Sequence, residues 1–206
     1  MATPWWRSVQ TQQYAAVFRV CQSATMKVGI TICAMEPVVI TLIGDDRAGL
    51  VDAVAGVVAA HGGNWDRSHL AELAGKFAGI VLVQVPTSAV DSLLRDLDAI
   101  ESQGLLAITA ERAVTRTESD VASQVTLALI GQDHPGIVHE ISRVLAQQGV
   151  SIGELETASA PAPQGGNLFR ANAVLELPTG SDIEVLRDAL EAVADDLMVD
   201  LDLIAE

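Results

Sequence analysis

The sequence contains the pattern Asp-x-x-Gly twice, each time after an apolar run and before an amphipathic stretch. Asp46 and Gly49 form the first copy, and Asp133 and Gly136 form the second. A strand-to-helix turn of this kind presents free N–H groups at the positive end of a helix dipole, which favours bound anions. We expect the aspartates to accept hydrogen bonds as N-caps and the glycines to let a ligand or another backbone approach closely. The pattern therefore predicts either two sites for a small anion or two turns that only cap their helices.

A helix terminus is too weak to hold such an anion alone. It contributes about 0.3–1 kcal/mol, or about 2 kcal/mol when partly buried, whereas micromolar binding needs about 8 kcal/mol. A second surface must therefore enclose the ligand, and Asn64, at the start of the predicted second strand, offers a polar contact. In the second copy Ser151 replaces Asn64 with a shorter group, and Pro135, expected in the first helical turn, removes one N–H donor. The first copy is the better-equipped site.

The two loops belong to an internal repeat that covers most of the chain. The aligned pairs are Gly44 with Gly131, Asp46 with Asp133, Gly49 with Gly136, Phe77 with Phe169 and Pro86 with Pro178. The second copy has a longer predicted hairpin loop, Ala160–Asn167, which contains proline and glycine. Two copies are too few for a solenoid. The repeat therefore predicts a tandem pair of small domains.

Each copy shows the same order of strand and helix patterns, βαββαβ. Apolar residues recur at helical spacing after each loop, which predicts an amphipathic helix in both copies. The stripe residues are Leu50, Val51, Val54, Val57 and Val58 in the first copy and Ile137, Val138, Ile141, Val144 and Leu145 in the second. The fold class is therefore α+β: two ferredoxin-like modules in tandem, each an antiparallel sheet with its helices on one face.

The predicted boundaries are a poorly ordered leader at 1–35, a first domain at 36–113, a linker at 114–122 and a second domain at 123–206. The leader holds three basic residues and no acidic one, but it lacks the unbroken apolar run of a secretory signal. In both domains apolar residues also lie on the sheet face that the helices leave free. We expect this face to pack against the other module or another chain, which predicts a homo-oligomer.

Composition excludes several functions. The formal net charge is −15, which opposes contact with the phosphates of nucleic acid. No apolar run reaches the length of a membrane span, so we expect neither direct nucleic-acid binding nor membrane insertion. Two cysteines at Cys21 and Cys33 form neither a disulfide framework nor a zinc site, which favours a cytoplasmic protein. The sequence predicts no metal and no cofactor.

The βαββαβ order with "GDDRAGLV" or "GQDHPGIV", a helix, and then "GGNW" or "GVSI" resembles the ACT domain family. Two such domains with little else resemble the glycine cleavage system transcriptional repressor group, over residues 36–206. The resemblance implies a regulatory protein that binds a small amino acid, with glycine and serine the first candidates, at interfaces between domains or subunits. It further implies control of a partner protein, such as a transcription activator, through protein contact.

The resemblance also implies which positions contact the ligand. The implied positions are Asp46, Ala48, Gly49, Leu50 and Asn64 in the first copy and Asp133, Pro135, Gly136, Ile137 and Ser151 in the second. Two of these depart from the family pattern. Ala48 replaces the usual proline of the loop, and Ser151 replaces the usual asparagine. Each departure bears on whether its site still binds a ligand.

Three other functions fit parts of the pattern. A ligand-free dimerisation or docking module built on degenerate ACT domains has nearly the same sequence as a sensor. An RNA-recognition motif shares the topology but needs several aromatic residues on its third strand, where each copy has one, Phe77 or Phe169. His139 and Glu140 resemble the start of a metalloprotease helix, which needs a second histidine four residues after the first, and that position is Arg143. We therefore expect no enzyme.

Overall fold

The computed structural model describes residues 34–102, 104–113, 121–163 and 165–205. The chain divides into two compact units, Met1–Val114 and Thr115–Glu206. The predicted leader lies outside the described residues except for its last two, and the predicted linker except for residues 121 and 122. The first strand of the first unit begins at Met35 and that of the second at Val121. The domain boundaries drawn from the sequence otherwise stay a prediction.

The first module has the predicted βαββαβ order. Its elements are β1 (Met35–Asp45), α1 (Leu50–Ala60), β2 (Asn64–Leu73), β3 (Lys76–Pro86), α2 (Val90–Ser102) and β4 (Ala107–Arg112). A single 3-10 turn, Thr87–Ala89, leads into α2. The sheet has the order β2-β3-β1-β4, and every neighbouring pair is antiparallel.

The second module repeats this order and topology. Its elements are β5 (Val121–Gln132), α3 (Ile137–Gln147), β6 (Ser151–Pro161), β7 (Asn167–Pro178), α4 (Ile183–Leu197) and β8 (Val199–Ala205). The sheet has the order β6-β7-β5-β8 with antiparallel pairing throughout. The predicted fold class, two ferredoxin-like modules in tandem with antiparallel sheets, is therefore confirmed.

Each module has its own aliphatic core between the sheet and its two helices. In β1 the buried residues alternate, as Val38, Ile40 and Leu42, because successive side chains of a strand point to opposite faces; they cluster with residues of both helices. The second core is built in the same way. Most residues of the predicted helix stripes are buried, but Val57 is only partly buried, and Val51 and Val138 are 44% and 45% exposed.

The sheet face that the helices leave free carries apolar and polar side chains in both modules, and in the second it includes Ile204 of β8, which is 51% exposed. In the first module it carries Ile43 and Ile80, which are 52% and 45% exposed. In the second module polar residues stand on this face of β7, among them Asn172, which pairs with Ala128 of β5. Cover of this face by another module or chain stays a prediction. None of the described helices is long and apolar enough to cross a membrane.

Candidate functional site

The loops that join each first strand to its helix are called loop one (46–49) and loop two (133–136). Loop one is fixed to its module by the N–H of Asp46, which donates to the carbonyl of Gly75 in the β2–β3 turn at 2.9 Å. Loop two is fixed by the N–H of Asp133, which donates to the carbonyl of Asn167 at 2.8 Å. Both loops are therefore held by their backbones against the hairpin of the same module.

The predicted N-cap role of Asp46 and Asp133 is wrong. The N-cap residues are Gly49, at φ 96° and ψ −2°, and Gly136, at φ 105° and ψ −12°, and neither helix receives a hydrogen bond from a capping side chain. The aspartates lie at the start of each loop, where their backbones bind the hairpin instead. Both glycines are required because a side chain makes this left-handed conformation costly.

Two further details of the loops differ from the prediction. A Cβ atom built on Gly49 or Gly136 meets no atom within 4 Å, so the module itself makes no close approach there. Pro135 precedes the N-cap Gly136 and therefore lies outside the helix, not in its first turn. Its missing N–H still removes one donor from loop two.

The helices that follow these loops present free N–H groups. The first helical hydrogen bond of α1 runs from the N–H of Ala53 to the carbonyl of Gly49 at 2.9 Å. The N–H groups of Leu50, Val51 and Asp52 therefore precede the helical ladder, as the first N–H groups of any helix do. The start of α4 differs, because its N-cap Asp182 accepts a hydrogen bond from a backbone N–H at 2.9 Å.

Carboxylates near the free N–H groups distinguish the two loops. The carboxylates of Asp46 and Asp52 make no hydrogen bond or ion pair within the described part of the chain. In loop two the carboxylate of Asp133 accepts a hydrogen bond from the Ser159 hydroxyl at 2.7 Å, and His139 takes the position of Asp52. Loop one therefore combines free N–H donors with free carboxylates, whereas loop two does not.

Loop one borders a shallow depression of about 180 Å³. The lining residues are Asp46, Arg47, Gly49, Leu50, Val51, Asp52 and Phe77. Asp45, just outside it, forms an ion pair with Lys76. The hydrogen bond and the positive charge of Lys76 hold the pKa of the Asp45 carboxyl below its usual range. Asp45 is therefore committed to Lys76, and Asp46 is the acidic group of this loop that a ligand can use.

A side chain that the sequence analysis did not single out anchors each loop. Arg47 donates to the carbonyls of Gly104 and Leu105 at 3.3 and 3.0 Å. At the aligned position His134 Nε2 contacts the carbonyl of Leu197 at 3.1 Å. Leu105 and Leu197 are aligned in the repeat, so both loops reach the same point of the module. Arg47 and His134 are aligned in the repeat, and both side chains can donate hydrogen bonds. This alignment in the sequence was a signal that the position anchors each loop.

The structure does not bring Asn64 close to loop one within a module. Asn64 pairs with Gln84, and Gln84 pairs with Pro37 near the start of β1. Loop one follows Asp45 at the other end of β1, about 27 Å away at the rise of an antiparallel strand. Ser151 lies equally far from loop two, at the level of Gln124 in β5.

The glycine that ends the regular part of each first strand has a packing role. A Cβ atom on Gly44 would lie 2.7 Å from the carbonyl oxygen of Leu105, and one on Gly131 would lie 2.4 Å from Cγ1 of Val199. Both approaches occur where the last strand of the module begins. The two glycines therefore let the start of the last strand, or the segment just before it, pass close to the base of the loop.

A Ser–His–Asp contact occurs elsewhere in the first module. His61 Nε2 lies 2.8 Å from Oδ2 of Asp96, and Nδ1 lies 3.1 Å from the hydroxyl of Ser92. The Ser92 hydroxyl donates to the carbonyl of Ala89 at 2.8 Å, so its hydrogen is committed to the backbone. His61 is the C-cap of α1, and the contact therefore ties α1 to α2.

The βαββαβ topology, its duplication and the shared loop geometry define a protein with two ACT-type modules. Residues 36–109 match the family model for the ACT domain. The chain is 22% identical over 169 residues to the glycine cleavage system transcriptional repressor of Escherichia coli, covering 82% of this chain and 89% of that protein. These matches confirm the resemblance that the sequence motifs indicate.

Two crystal structures share the fold over most of the chain. An unknown protein from Galdieria sulphuraria is 29% identical with a TM-score of 0.71, covering 84% of this chain and 99% of that one. A protein described as a candidate glycine cleavage system transcriptional repressor is 19% identical with a TM-score of 0.61, covering 84% and 98% of the two chains. Both extend the fold likeness beyond the residues that the family model matches.

Proposed function

We propose that this protein is a regulatory amino-acid sensor and that loop one is its ligand-binding loop. The observation that carries the proposal is the uncapped start of α1 beside the free carboxylates of Asp46 and Asp52. The free N–H groups suit the carboxylate of an amino acid, since a helix N-terminus favours negative charge. The two aspartates suit its ammonium group. This pairing favours a zwitterion over a simple anion.

The small size of the depression argues for a small amino acid. A volume of about 180 Å³ lies below the roughly 300–1,000 Å³ of typical small-molecule pockets. Glycine and serine are the first candidates, and the repressor names of the E. coli and structural relatives support glycine in particular. Ala48 and Leu50 border the ligand through their backbones in this proposal.

A second surface completes the proposed site. The helix terminus supplies at most about 2 kcal/mol, far below the 8 kcal/mol or so of micromolar binding. Asn64 is the predicted polar contact, but it lies about 27 Å along the sheet from loop one of its own module. A single ligand can touch both groups only if Asn64 belongs to another copy of the chain. If Asn64 is that contact, the site forms between two copies of the chain, as in the homo-oligomer that the sequence predicts.

The response passes to a protein partner in this proposal. The net charge of −15 disfavours direct contact with DNA phosphates. The relatives are named as transcriptional repressors, so we propose that this chain controls transcription by contacting another protein, such as a transcription activator. Loop two, whose aspartate is engaged by Ser159, has a structural role in this scheme.

A thermal-shift panel on the full chain with each amino acid tests the proposal. A ligand at a hundred times its Kd adds about 2.7 kcal/mol, or about 5–10 °C for a protein of this size. We expect one or a few small amino acids to raise the Tm selectively. Gly49→Val should remove the response while the protein stays folded, because valine resists the left-handed conformation that exposes the N–H groups.

Gly136→Val is the matched control, because it imposes the same strain on loop two. It should lower the Tm by a similar amount and keep the response. If no amino acid changes the Tm, or if Gly49→Val responds like the unchanged protein, loop one is not the sensor. A panel in which no amino acid raises the Tm favours the alternative, a ligand-free dimerisation or docking module built on degenerate ACT domains. The engaged carboxylate of loop two already fits that alternative for the second module.

A further inference from the structure

The sheet face of the second module that its helices leave free carries three short rows of side chains across β7, β5 and β8. Each row is centred on β5, because one residue of β5 pairs with a residue of β7 and a residue of β8. The intervening residues of β5, Leu127 and Leu129, are buried in the core, so the rows point away from it. The rows are Arg170, Ile130 and Asp200; Asn172, Ala128 and Asp202; and Val174, Thr126 and Ile204.

The first two rows border a hollow of about 260 Å³ in this face. Opposite charges stand on its two sides, with Arg170 of β7 on one side and Asp200 and Asp202 of β8 on the other. All three side chains are exposed, and among the residues described they make no hydrogen bond or ion pair. The neighbours of Arg170 on both adjoining strands are apolar. These charged groups are therefore available to another molecule.

The charged row is complementary to itself about β5. A two-fold axis along β5 would lay a second copy of the sheet over the first, keep each row at its own level and exchange β7 with β8. Arg170 of each copy would then face Asp200 of the other. Sheets that pack face to face lie about 10 Å apart, a distance that an arginine and an aspartate side chain span together. This row therefore provides two identical ion pairs, one on each side of the axis.

The other two rows match under the same operation. Asn172 would face Asp202, which sets an amide donor against a carboxylate acceptor. Val174 would face Ile204, which is 51% exposed, so apolar side chains would meet in the third row. Ala128 lies on the axis, where its small side chain lets the two sheets approach each other. Each of the three rows therefore sets groups of complementary chemistry against each other.

Three other carboxylates of this sheet face lie outside the three rows. Glu154 and Glu156 belong to β6, the strand beyond β7, and Glu154 already has an interaction within the protein. The exchange of β7 with β8 brings β6 past the edge of the second sheet, so no strand faces it. Glu176 pairs with Gln124, one level beyond the third row. None of the three therefore faces a charged group of the rows.

A two-fold axis across the strands is disfavoured by charge. It would lay β7 on β7 and β8 on β8. In each register that overlaps the first two rows, a carboxylate of Asp200 or Asp202 would face a carboxylate of the second copy or the apolar Ile204. Like charges set against each other across an interface suppress that arrangement. The axis along β5 is therefore the one that the charges favour.

The first module does not have this self-complementarity. The row that corresponds to Val174 and Ile204 carries Leu82 of β3 on one side of β1 and Glu111 of β4 on the other. A second copy of the first module would therefore set an apolar side chain against a carboxylate. A first module laid on the free face of a second module would likewise set Glu111 against Val174. The partner that fits the second module is thus a second module of another copy.

We propose that the free sheet face of the second module is the interface of a homodimer, formed about a two-fold axis along β5 and fixed by ion pairs between Arg170 of one copy and Asp200 of the other. The proposal assigns residues and a symmetry to the homo-oligomer that the sequence predicts. It is independent of loop one, which lies in the other module.

Charge reversal tests the interface in the full chain, by analytical ultracentrifugation over a series of concentrations. Arg170→Asp and Asp200→Arg should each raise the dissociation constant of the dimer at least about tenfold, because each sets like charges against each other twice. The matched controls are Arg95→Asp and Glu111→Arg, which make the same changes of net charge at exposed residues of the first module. Both controls should leave the dissociation constant unchanged, and circular dichroism confirms that all four variants are folded.

A mixture of the two reversed chains gives the sharper test. A chain with Arg170→Asp and a chain with Asp200→Arg are complementary at both ion pairs. They should therefore bind each other at least about tenfold more tightly than either binds itself, which a fluorescent label on one chain measures. Both variants stay net negative, since the unchanged chain carries −15, so general attraction between opposite net charges cannot join them. A mixture of the two control variants should show no such preference.

Three outcomes would overturn the proposal. One is a chain that stays monomeric at millimolar concentration. Another is self-association that neither charge reversal weakens, because the interface would then lie on another surface. The third is a mixture of the reversed chains that shows no preference for the mixed dimer, because the two residues would then not face each other. The amino-acid response that Gly49→Val tests is a separate measurement, so the two proposals fail separately.

Discussion

Loop one and loop two have the same backbone but different side-chain environments. Both end in an N-cap glycine with positive φ and no capping side chain, and both donate a backbone N–H to their hairpin. The carboxylate of Asp46 stays free, whereas that of Asp133 is held by Ser159. The duplicated backbone therefore keeps the same uncapped helix start in both modules, while the side chains leave one loop carboxylate free and engage the other.

The anchors of the loops differ in the same way. Arg47 is a permanent cation with two carbonyl acceptors at 3.3 and 3.0 Å, whereas His134 contacts one carbonyl of the last helix at 3.1 Å. Both join the loop to the segment that leads into the last strand. The position of the anchor is therefore shared by the two modules, and its chemistry is not.

The largest expected effect concerns the glycines under the loops. Gly131→Ala should lower the free energy of unfolding by about 3 kcal/mol, at the upper end of overpacking costs, because the added Cβ meets Cγ1, Cβ and Cα of Val199 within 2.9 Å. Gly44→Ala should cost less, roughly 1–2 kcal/mol, because its closest contact, the carbonyl oxygen of Leu105, lies at 2.7 Å rather than the 2.4 Å found at Gly131. Urea denaturation measures both.

Gly56→Ala is the control for these variants. Gly56 lies inside α1 with nothing within 4 Å of an added Cβ, so alanine there should stabilise the protein by about 0.5–1 kcal/mol. Equal and small losses for Gly131→Ala and Gly44→Ala would show that the strand before the loop can shift. The tight contact at the base of the loop would then not be what positions it.

The anchoring side chains come next in size. Arg47→Ala and His134→Ala should each lower the free energy of unfolding by about 0.5–1.5 kcal/mol, the usual net value of a hydrogen bond. Arg47→Ala should also weaken the amino-acid response, because the free N–H groups of loop one lose their support. His134→Ala should leave that response intact. A response that falls equally in both variants would mean that the loops are not distinct in function.

The aspartates of the loops should have smaller effects on stability. Asp46→Ala should change the free energy of unfolding by less than about 0.5 kcal/mol, because its carboxylate makes no contact. Asp133→Ala should cost about 1 kcal/mol through the lost bond from Ser159. Asp182→Ala, which removes a true N-cap, should also cost about 1 kcal/mol. If Asp46→Ala matched Asp182→Ala, Asp46 would be a cap after all.

The smallest effect concerns the pH dependence of Asp45. Its pKa is lowered in the folded protein by Lys76, so its contribution is present above the ordinary pKa of aspartate and is lost as the pH falls through the lowered value. Because the pair is exposed, we expect little change in stability. NMR titration of the Asp45 carboxyl should show the lowered pKa, and Lys76→Met should raise it. An unchanged pKa in Lys76→Met would place the cause elsewhere.

The fold could be predicted from the sequence because its signals are periodic and occur twice. Helix stripes such as Leu50, Val54 and Val58 follow from the spacing of apolar residues, and each copy supports the assignment of the other. The spacing of apolar residues identifies which face of a helix is buried, but not how much of that face the sheet covers. Val51 and Val138 were therefore assigned to the stripes, although both are largely exposed. The tandem arrangement follows from the alignment of the two copies, which includes Gly44 with Gly131 and Pro86 with Pro178.

The candidate site was less predictable, since it depends on conformations that residue types do not determine. Aspartate is a common N-cap, and only the positive φ of Gly49 shows that the glycine takes this role instead. The distance between Asn64 and loop one follows from strand register, which the sequence leaves open. The engagement of Asp133 by Ser159 joins a loop to a neighbouring strand, and sequence spacing carries no sign of it.

The most direct test of loop one as the sensor is an NMR titration of the full chain with glycine and serine, following backbone amide signals. We expect saturable shifts for the N–H groups of Leu50, Val51 and Asp52, with little change at Ile137 and Val138. It also predicts that Gly49→Val removes these shifts. Absence of shifts at loop one with either amino acid at millimolar concentration, or shifts confined to loop two, would contradict the assignment of loop one as the sensor.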